Sequence, residues 1–309
     1  MVSDFYEKPV EVIGLELDVM PVNYFQKIQK YFKAKTFIDG SPLILRTRMI
    51  KSAWEIEQME KTAELSSKTF DYMKSAIRPC LSEMAFAGMF ETFSRKLGHG
   101  GMLRIRDFLT EGYPWHVLSG KSGGMVGLLD SPMSGEGTSA AFPCGAGSKI
   151  ISANKPIMID FGTVLNGYHL DETRMFAIDS MPDRALNACK AAIEIKHSIL
   201  EKIRPGVTTS DDLFQFSLSR AKTIGYEDQY LGPHENKVSF IGHGVGLELV
   251  EQPIIAKGRN QPIEAGMTLA IEPKMLFKDD FSAGIEDVIL ITETGHRIIS
   301  RVPEKVFIC

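Results

Sequence analysis

Apolar positions recur at helical spacing in two long stretches of the chain, and each stretch stops at the same dipeptide. In "SAWEIEQMEKTAELSSKTFDYMKSAIRP", Ile56, Met59, Ala63, Phe70, Met73 and Ile77 share one face, and Pro79 closes the run. In "RALNACKAAIEIKHSILEKIRPG", Ala188, Ala192, Ile195, Ile199 and Ile203 repeat the stripe up to Arg204-Pro205. A shorter amphipathic run follows each: "SEMAFAGMFETFSRKLG", with Ser82 as its predicted N-cap, and "TSDDLFQFSLSRAKTIG". The separation of Arg78-Pro79 from Arg204-Pro205 matches that of Gly98 from Gly225 to within one residue. A constant offset through the same order of features points to an internal duplication. Strand-like segments follow each helix pair. The predicted body is therefore α+β with two similar halves, and a cleft between them is the natural place for a site.

Upstream, the pattern is shorter and mixed. "VEVIGLELD" reads as a strand, "PVNYFQKIQKYF" as a helix and "KTFID" as a second strand. About forty residues with two strands and one helix make a poor core alone. This segment is expected to be the end of a domain whose beginning is missing, or an appendage docked on the larger body.

Acids interrupt the apolar runs of the second half. Asp160 follows Ile157, Met158 and Ile159 in "PIMIDFG"; Glu272 follows Leu269, Ala270 and Ile271 in "TLAIEPKM"; Glu286 and Asp287 precede "VILI". Acids are rarely buried unless paired or coordinated. A single case is usually a strand-end residue reaching water. Several, joined by Asp171 in "GYHLDETR" and by His243 in "FIGHGVGLELVEQP", argue for a shared pocket. Four carboxylates converging without a cation would repel, and some would protonate. Two divalent cations would neutralise them, with neutral His243 completing the set. One imidazole among oxygens suits Mn²⁺ first, with Co²⁺, Zn²⁺ or Fe²⁺ as alternatives. Gly242, Gly244 and Gly246 would let the strand bearing His243 pack beside those metals and leave room for a substrate.

Composition removes other classes. With 44% apolar and 24% charged residues among 309, the chain has the make-up of a soluble globular protein. A net charge of -4 gives no electrostatic case for nucleic acid or an anionic membrane. The apolar runs are too short to span a bilayer, and "MVSDFYEKPVEVIGLELD" is not a signal peptide. Cys80, Cys144, Cys189 and Cys309 show no paired spacing, so reduced thiols and a cytoplasmic location are expected. The Gly/Ser-rich "SGKSGGMVGLLDSPMSGEG" lacks the spacing of a phosphate-binding loop and is expected to be a flexible wall of the substrate pocket.

Asp160 with Asp171 eleven positions on, then "GHGVGLE", "IEP" and "IED" in that order, resemble the pita-bread metallopeptidases. That family includes methionine aminopeptidase, aminopeptidase P, prolidase and creatinase, and the Xaa-Pro peptidase branch is the nearest likeness. The resemblance covers roughly residues 46–300, from "RTRMIKSAWEIEQMEKTA" onward. It implies a pita-bread catalytic domain over 46–309, with 1–45 as the remnant of a creatinase-type N-terminal domain. It further implies that Asp160 chelates one metal, His243 and Glu272 bind the other, and Asp171 and Glu286 bridge the pair. A metal-held hydroxide would attack an amide carbonyl, with Glu272 as proton shuttle. The implied partners are a small peptide or other small C–N substrate, and relatives often form homodimers.

Three positions depart from that branch. Val250 stands where it normally has His; Cys144 stands where a second His is usual; Gly284 stands where an Arg is common. These contact substrate in the family, and losing one such donor typically costs on the order of a hundredfold in turnover. His116 in "YPWHVLSGKSGG" and His169, two residues before Asp171, are the candidates to compensate, the first as a catalytic group and the second in substrate binding. Cys144 and Val250 are expected to line the substrate side. The expected activity is that of a dinuclear metal-dependent hydrolase. A non-peptide C–N hydrolase or lyase on the same scaffold, or a metal-binding protein without turnover, are the alternatives.

Overall fold

Polar side-chain caps begin some of the helices of this chain, and an Arg-Pro dipeptide follows the end of two. A computed structural model describes residues 10–32, 34, 36–107, 111–112, 115–127 and 131–309. Residues 1–9 of the N-terminal segment and 128–130 of the Gly/Ser-rich loop lie outside the described residues. The N-terminal part holds β1 (Val12–Leu15), α1 (Val22–Tyr31), β2 (Thr36–Asp39) and α2 (Ser41–Met49). β1 and β2 pair in parallel, and α1 buries none of its side chains fully. The sequence pattern misses α2: "SPLILRTRM" carries little amphipathic order, and a proline in the first turn is its main start signal.

α3 (Ala53–Ala76) opens with a capping box between Ser52 and Glu55 and buries the predicted stripe, including Met59, Ala63, Phe70 and Met73. It ends at Ile77, just ahead of Arg78-Pro79. α4 (Glu83–Lys96) starts where Ser82 accepts a hydrogen bond from the Ala85 N–H. Then come β3 (Leu103–Arg104), β4 (Glu111–Gly112), β5 (Trp115–Ser119), β6 (Ile157–Leu165) and β7 (Tyr168–Ala177). A two-residue turn at Asn166-Gly167, both with positive φ, joins β6 to β7 and sets their register.

The second half repeats the plan: α5 (Asp183–Lys202) stops before Arg204-Pro205, and α6 (Ser210–Thr223) starts at a Thr209–Asp212 capping box. β8 (Phe240–Gly244), β9 (Glu251–Ala256), β10 (Thr268–Ile271), β11 (Lys274–Phe277), β12 (Phe281–Gly284), β13 (Asp287–Ile291), β14 (His296–Ile298) and β15 (Phe307–Ile308) follow. Among the described residues, the two larger sheets run β15-β7-β6-β5 and β14-β13-β10-β8-β9, and β1-β2, β3-β4 and β11-β12 form two-stranded sheets. The duplicated halves expected from the helix pairs are thus present, each pair followed by its own sheet. α3 lies on β6 and β7, α5 on α6 and β12, and α6 on β9. Buried Phe70, Phe86, Phe90 and Phe161 fill the first half, and Ile195, Ile199, Leu269 and Ile289 fill the second. The two sheets meet where Thr173 of β7 bridges Glu286, one residue before β13. Among the described residues, no helix is long and apolar enough to cross a membrane.

Candidate functional site

Cross-strand register brings the first row of polar side chains together. His116 of β5 lies opposite Asp160 of β6, which lies opposite Thr173 of β7, which bridges Glu286. Directly opposed residues of an antiparallel pair share a face, and so do residues two apart on one strand. Asp171 therefore joins the row from β7. From the other sheet, His243 of β8 sits opposite Ala270 of β10, and Glu272 follows the end of β10.

The five residues singled out by sequence converge between the sheets. His243 Nε2 is 3.5 Å from Glu272 Oε1 and 3.9 Å from Asp171 Oδ2. One ligand atom from each of Asp171, His243 and Glu286 can be chosen so that all lie within 4.8 Å of one another, and all three residues are buried. His243 Nδ1 lies 2.9 Å from the Gly244 carbonyl, which can only accept, so Nδ1 carries a proton and Nε2 faces the carboxylates. Thr173 Oγ1 donates to Glu286 Oε2 at 2.8 Å, while the buried Glu286 Oε1 has no hydrogen-bond partner among the described residues. An imidazole nitrogen facing acids, beside a carboxylate oxygen with no partner among the described residues, is a donor set that fits a divalent cation at Asp171, His243 and Glu286.

A residue the sequence pattern does not single out occupies the rest of the pocket. Lys274, the first residue of β11, places Nζ 2.8 Å from Asp160 Oδ2, 2.8 Å from Glu272 Oε2 and 3.1 Å from Glu286 Oε2. Burial alone would lower its pKa, but Asp160, Glu272 and Glu286 outweigh that and hold the ammonium well above the usual lysine value. Burial would likewise raise Asp160, yet Lys274, His116 and a hydrogen bond from Asp171 keep it below the usual carboxylate range. Asp171 and Glu286 are pushed well above that range, first by burial and then by the neighbouring acids. Beside the Asp171, His243 and Glu286 set, the oxygens of Asp160 and Glu272 that face the pocket hold an ammonium. The available signal was spacing: Lys274 is two residues from Glu272, which favours the same side of extended backbone.

Gly242 and Gly244 let β8 approach neighbouring backbone. A Cβ on Gly242 would come 2.2 Å from the Ala270 carbonyl oxygen, and one on Gly244 would come 2.2 Å from that of Gln252. Only glycine lets β8 lie this close to β10 and to the start of β9. Behind the pocket, buried Arg174 donates to the Glu286 carbonyl at 2.6 Å and to the Thr173 carbonyl at 2.9 Å. Arg174 and Lys196 both pair with buried Asp287, which accounts for that acid of the apolar runs as an ion-pair partner.

The substrate-side candidates divide. His116 lies beside Asp160; burial lowers its pKa, Asp160 raises it and Lys274 lowers it again. His169 is not available to a substrate. Its Nδ1 meets the Gly246 carbonyl at 3.0 Å and its Nε2 accepts from the Arg104 N–H at 3.1 Å, so both nitrogens tie backbone segments together. Burial lowers its pKa to about 4, which keeps it neutral. Cys144 is a free, half-buried thiol whose pKa burial raises, the opposite of an activated nucleophile. Val250 is half-buried in the turn before β9. Gly284 lies directly opposite Lys274 in the β11–β12 ladder. The Gly/Ser-rich loop, expected to be flexible, is pinned at its first end, and the chain beyond it is tied to the same acid. Glu83 accepts from the Ser119 N–H at 2.7 Å, from Ser122 Oγ, and from the Gly147 N–H at 3.3 Å.

This geometry agrees with what the chain is similar to. Residues 57–293 match the model of Metallopeptidase family M24, and residues 1–50 match that of the Creatinase/Prolidase N-terminal domain. The chain belongs to metallopeptidase family M24. As a metallopeptidase-like hydrolase of the M24 family, it is 27% identical to an uncharacterized peptidase of Staphylococcus epidermidis over 96% of this chain and 76% of that protein. It is 24% identical to an Xaa-Pro dipeptidase of Pyrococcus furiosus, over 97% of this chain and 77% of that one. The crystal structure of an X-Pro aminopeptidase from Thermotoga maritima superposes with a TM-score of 0.83 at 23% identity, covering 100% of this chain and 77% of that chain. The M24 fold is thus the pita-bread fold expected from the motifs.

Proposed function

We propose that this M24 protein hydrolyses an amide or related C–N bond of a small substrate in the pocket between its two sheets. The reading rests on one observation, the convergence of Asp160, Asp171, His243, Glu272 and Glu286 from strands far apart in sequence. Asp171, His243 and Glu286 would hold a divalent cation, Mn²⁺ being the first to test, which when bound supplies Lewis acidity toward a carbonyl and makes water easier to deprotonate. Glu272 is the proton acceptor in this reading: Lys274 holds its Oε2, and its Oε1 is left on the His243 side of the pocket. Neutral His116, beside Asp160, is the group to exchange a proton or a hydrogen bond with the substrate. Lys274 keeps Asp160, Glu272 and Glu286 in place and offsets part of their charge.

Substrate class follows from relatives on one side and from departures on the other. The Pyrococcus furiosus relative named an Xaa-Pro dipeptidase favours a small peptide. Val250 offers no hydrogen bond, and Gly284 and Cys144 replace two further polar groups implied by the resemblance, which favours a non-peptide C–N substrate as the second reading. Chelator-stripped protein, reloaded with Mn²⁺, Co²⁺ or Zn²⁺, tests both when incubated with Xaa-Pro dipeptides, short peptides and non-peptide amides, with products followed by mass. Turnover abolished by chelator and restored by metal supports hydrolysis, and the substrate consumed selects between the readings. Silence on the whole panel with metal bound overturns the proposal.

A further inference from the structure

Converging carboxylates need positive charge, and this chain supplies part of it covalently. The three N–H donors of an ammonium are matched by three carboxylate oxygens around Lys274, at 2.8, 2.8 and 3.1 Å. Its side chain is only 3% exposed, so water does not share the work. A divalent cation bound by carboxylates sits about 2.0–2.2 Å from each oxygen. It would need the same oxygens and the same space.

We propose that Lys274 replaces one of two divalent cations, as a tethered positive charge at Asp160, and that the centre takes a single metal ion at Asp171, His243 and Glu286. The single-ion half of this rests on the function proposed above; the replacement itself rests on Lys274. Two further observations carry it. Gly284, opposite Lys274 in the ladder, makes room for the lysine stem, because a Cβ there would come 2.7 Å from Lys274 Cγ. The resemblance places an arginine at that position, so a cationic side chain is missing from β12 and present on its partner β11. Glu286 divides its oxygens accordingly. Oε2 receives Thr173 and Lys274, and Oε1 has no hydrogen-bond partner among the described residues, leaving it for one ion.

Metal counting tests this directly. Chelator-stripped protein is titrated with Mn²⁺ by calorimetry, and its electron paramagnetic resonance spectrum is recorded with excess Mn²⁺ removed. Wild type is expected to bind one equivalent and give the spectrum of an isolated ion. Lys274→Gly, which opens the Asp160 position, is expected to bind one equivalent more and give the exchange-coupled spectrum of an ion pair. Two tight equivalents in wild type, or no added equivalent in the variant, would overturn the proposal. Should Lys274→Gly fail to fold, the wild-type count decides alone. Hydrolysis with two metals bound sinks this inference and spares the function; one metal bound without turnover does the reverse.

Discussion

Thr173 is fully buried, and its hydroxyl helps decide which Glu286 oxygen stays free. It donates to Oε2 at 2.8 Å beside the Lys274 ammonium. Thr173→Val keeps the shape and removes the donor, so Glu286 loses one of two restraints on its orientation. Cation affinity is expected to fall about tenfold or more, read by calorimetric titration; an unchanged affinity would show that Lys274 alone orients the carboxylate. At this scale the acids were legible in the sequence because each breaks an apolar run at a cost that needs compensation. Lys274 was not, since a lysine after Glu-Pro reads as a solvated turn residue. His169 misled for a related reason: proximity to Asp171 along a strand says nothing about whether backbone groups already use both ring nitrogens.

The strand β8 is the element on which the centre depends most, and its glycines set its position. Gly242→Ala would drive a methyl to within 2.2 Å of the Ala270 carbonyl oxygen, so β8 and β10 must part. The expected loss is about 1–3 kcal/mol in urea unfolding, with weaker cation binding because His243 rides on the displaced strand. Gly88→Ala in α4 is the control, since nothing lies within 4 Å of the added methyl. It is expected to gain about 0.5–1 kcal/mol from reduced chain entropy. Equal stability of the two variants would contradict this view of β8. Helices α3 to α6 were legible from stripes, caps and Arg-Pro stops, all local signals. Helix α2 lacked such a stripe. Its anchoring comes from long-range ion pairs, Arg48 to Glu248 at 3.0 Å, with Lys51 just beyond it to Glu251 at 3.0 Å, which no local pattern encodes.

Across the whole molecule, buried histidines make stability depend on pH. Burial lowers His99 and His169 from 6.5 to about 4. Between those values the unfolded chain binds protons that the folded chain refuses, so each histidine removes stability as pH falls, by about 1.4 kcal/mol per pH unit. Asp171 and Glu286, raised well above the carboxylate range, act with opposite sign, taking up protons in the folded state first. The difference between wild type and His169→Gln isolates one histidine. The variant is expected to lose less stability between pH 6 and 5, by about 1 kcal/mol in urea unfolding; parallel curves would contradict the account. Global topology was legible as a duplication of a helix pair followed by strands. The run of buried acids predicted that residues 160 and 286 meet, but not how, because that depends on two sheets docking through Thr173 and Glu286.

The most direct test of the centre is a crystal structure grown with excess Mn²⁺ and measured for anomalous scattering at the manganese edge. The expected map has one strong peak among Asp171, His243 and Glu286, with Lys274 Nζ still bonded to Asp160, Glu272 and Glu286. Two peaks, with the lysine swung out of the pocket, would contradict the account.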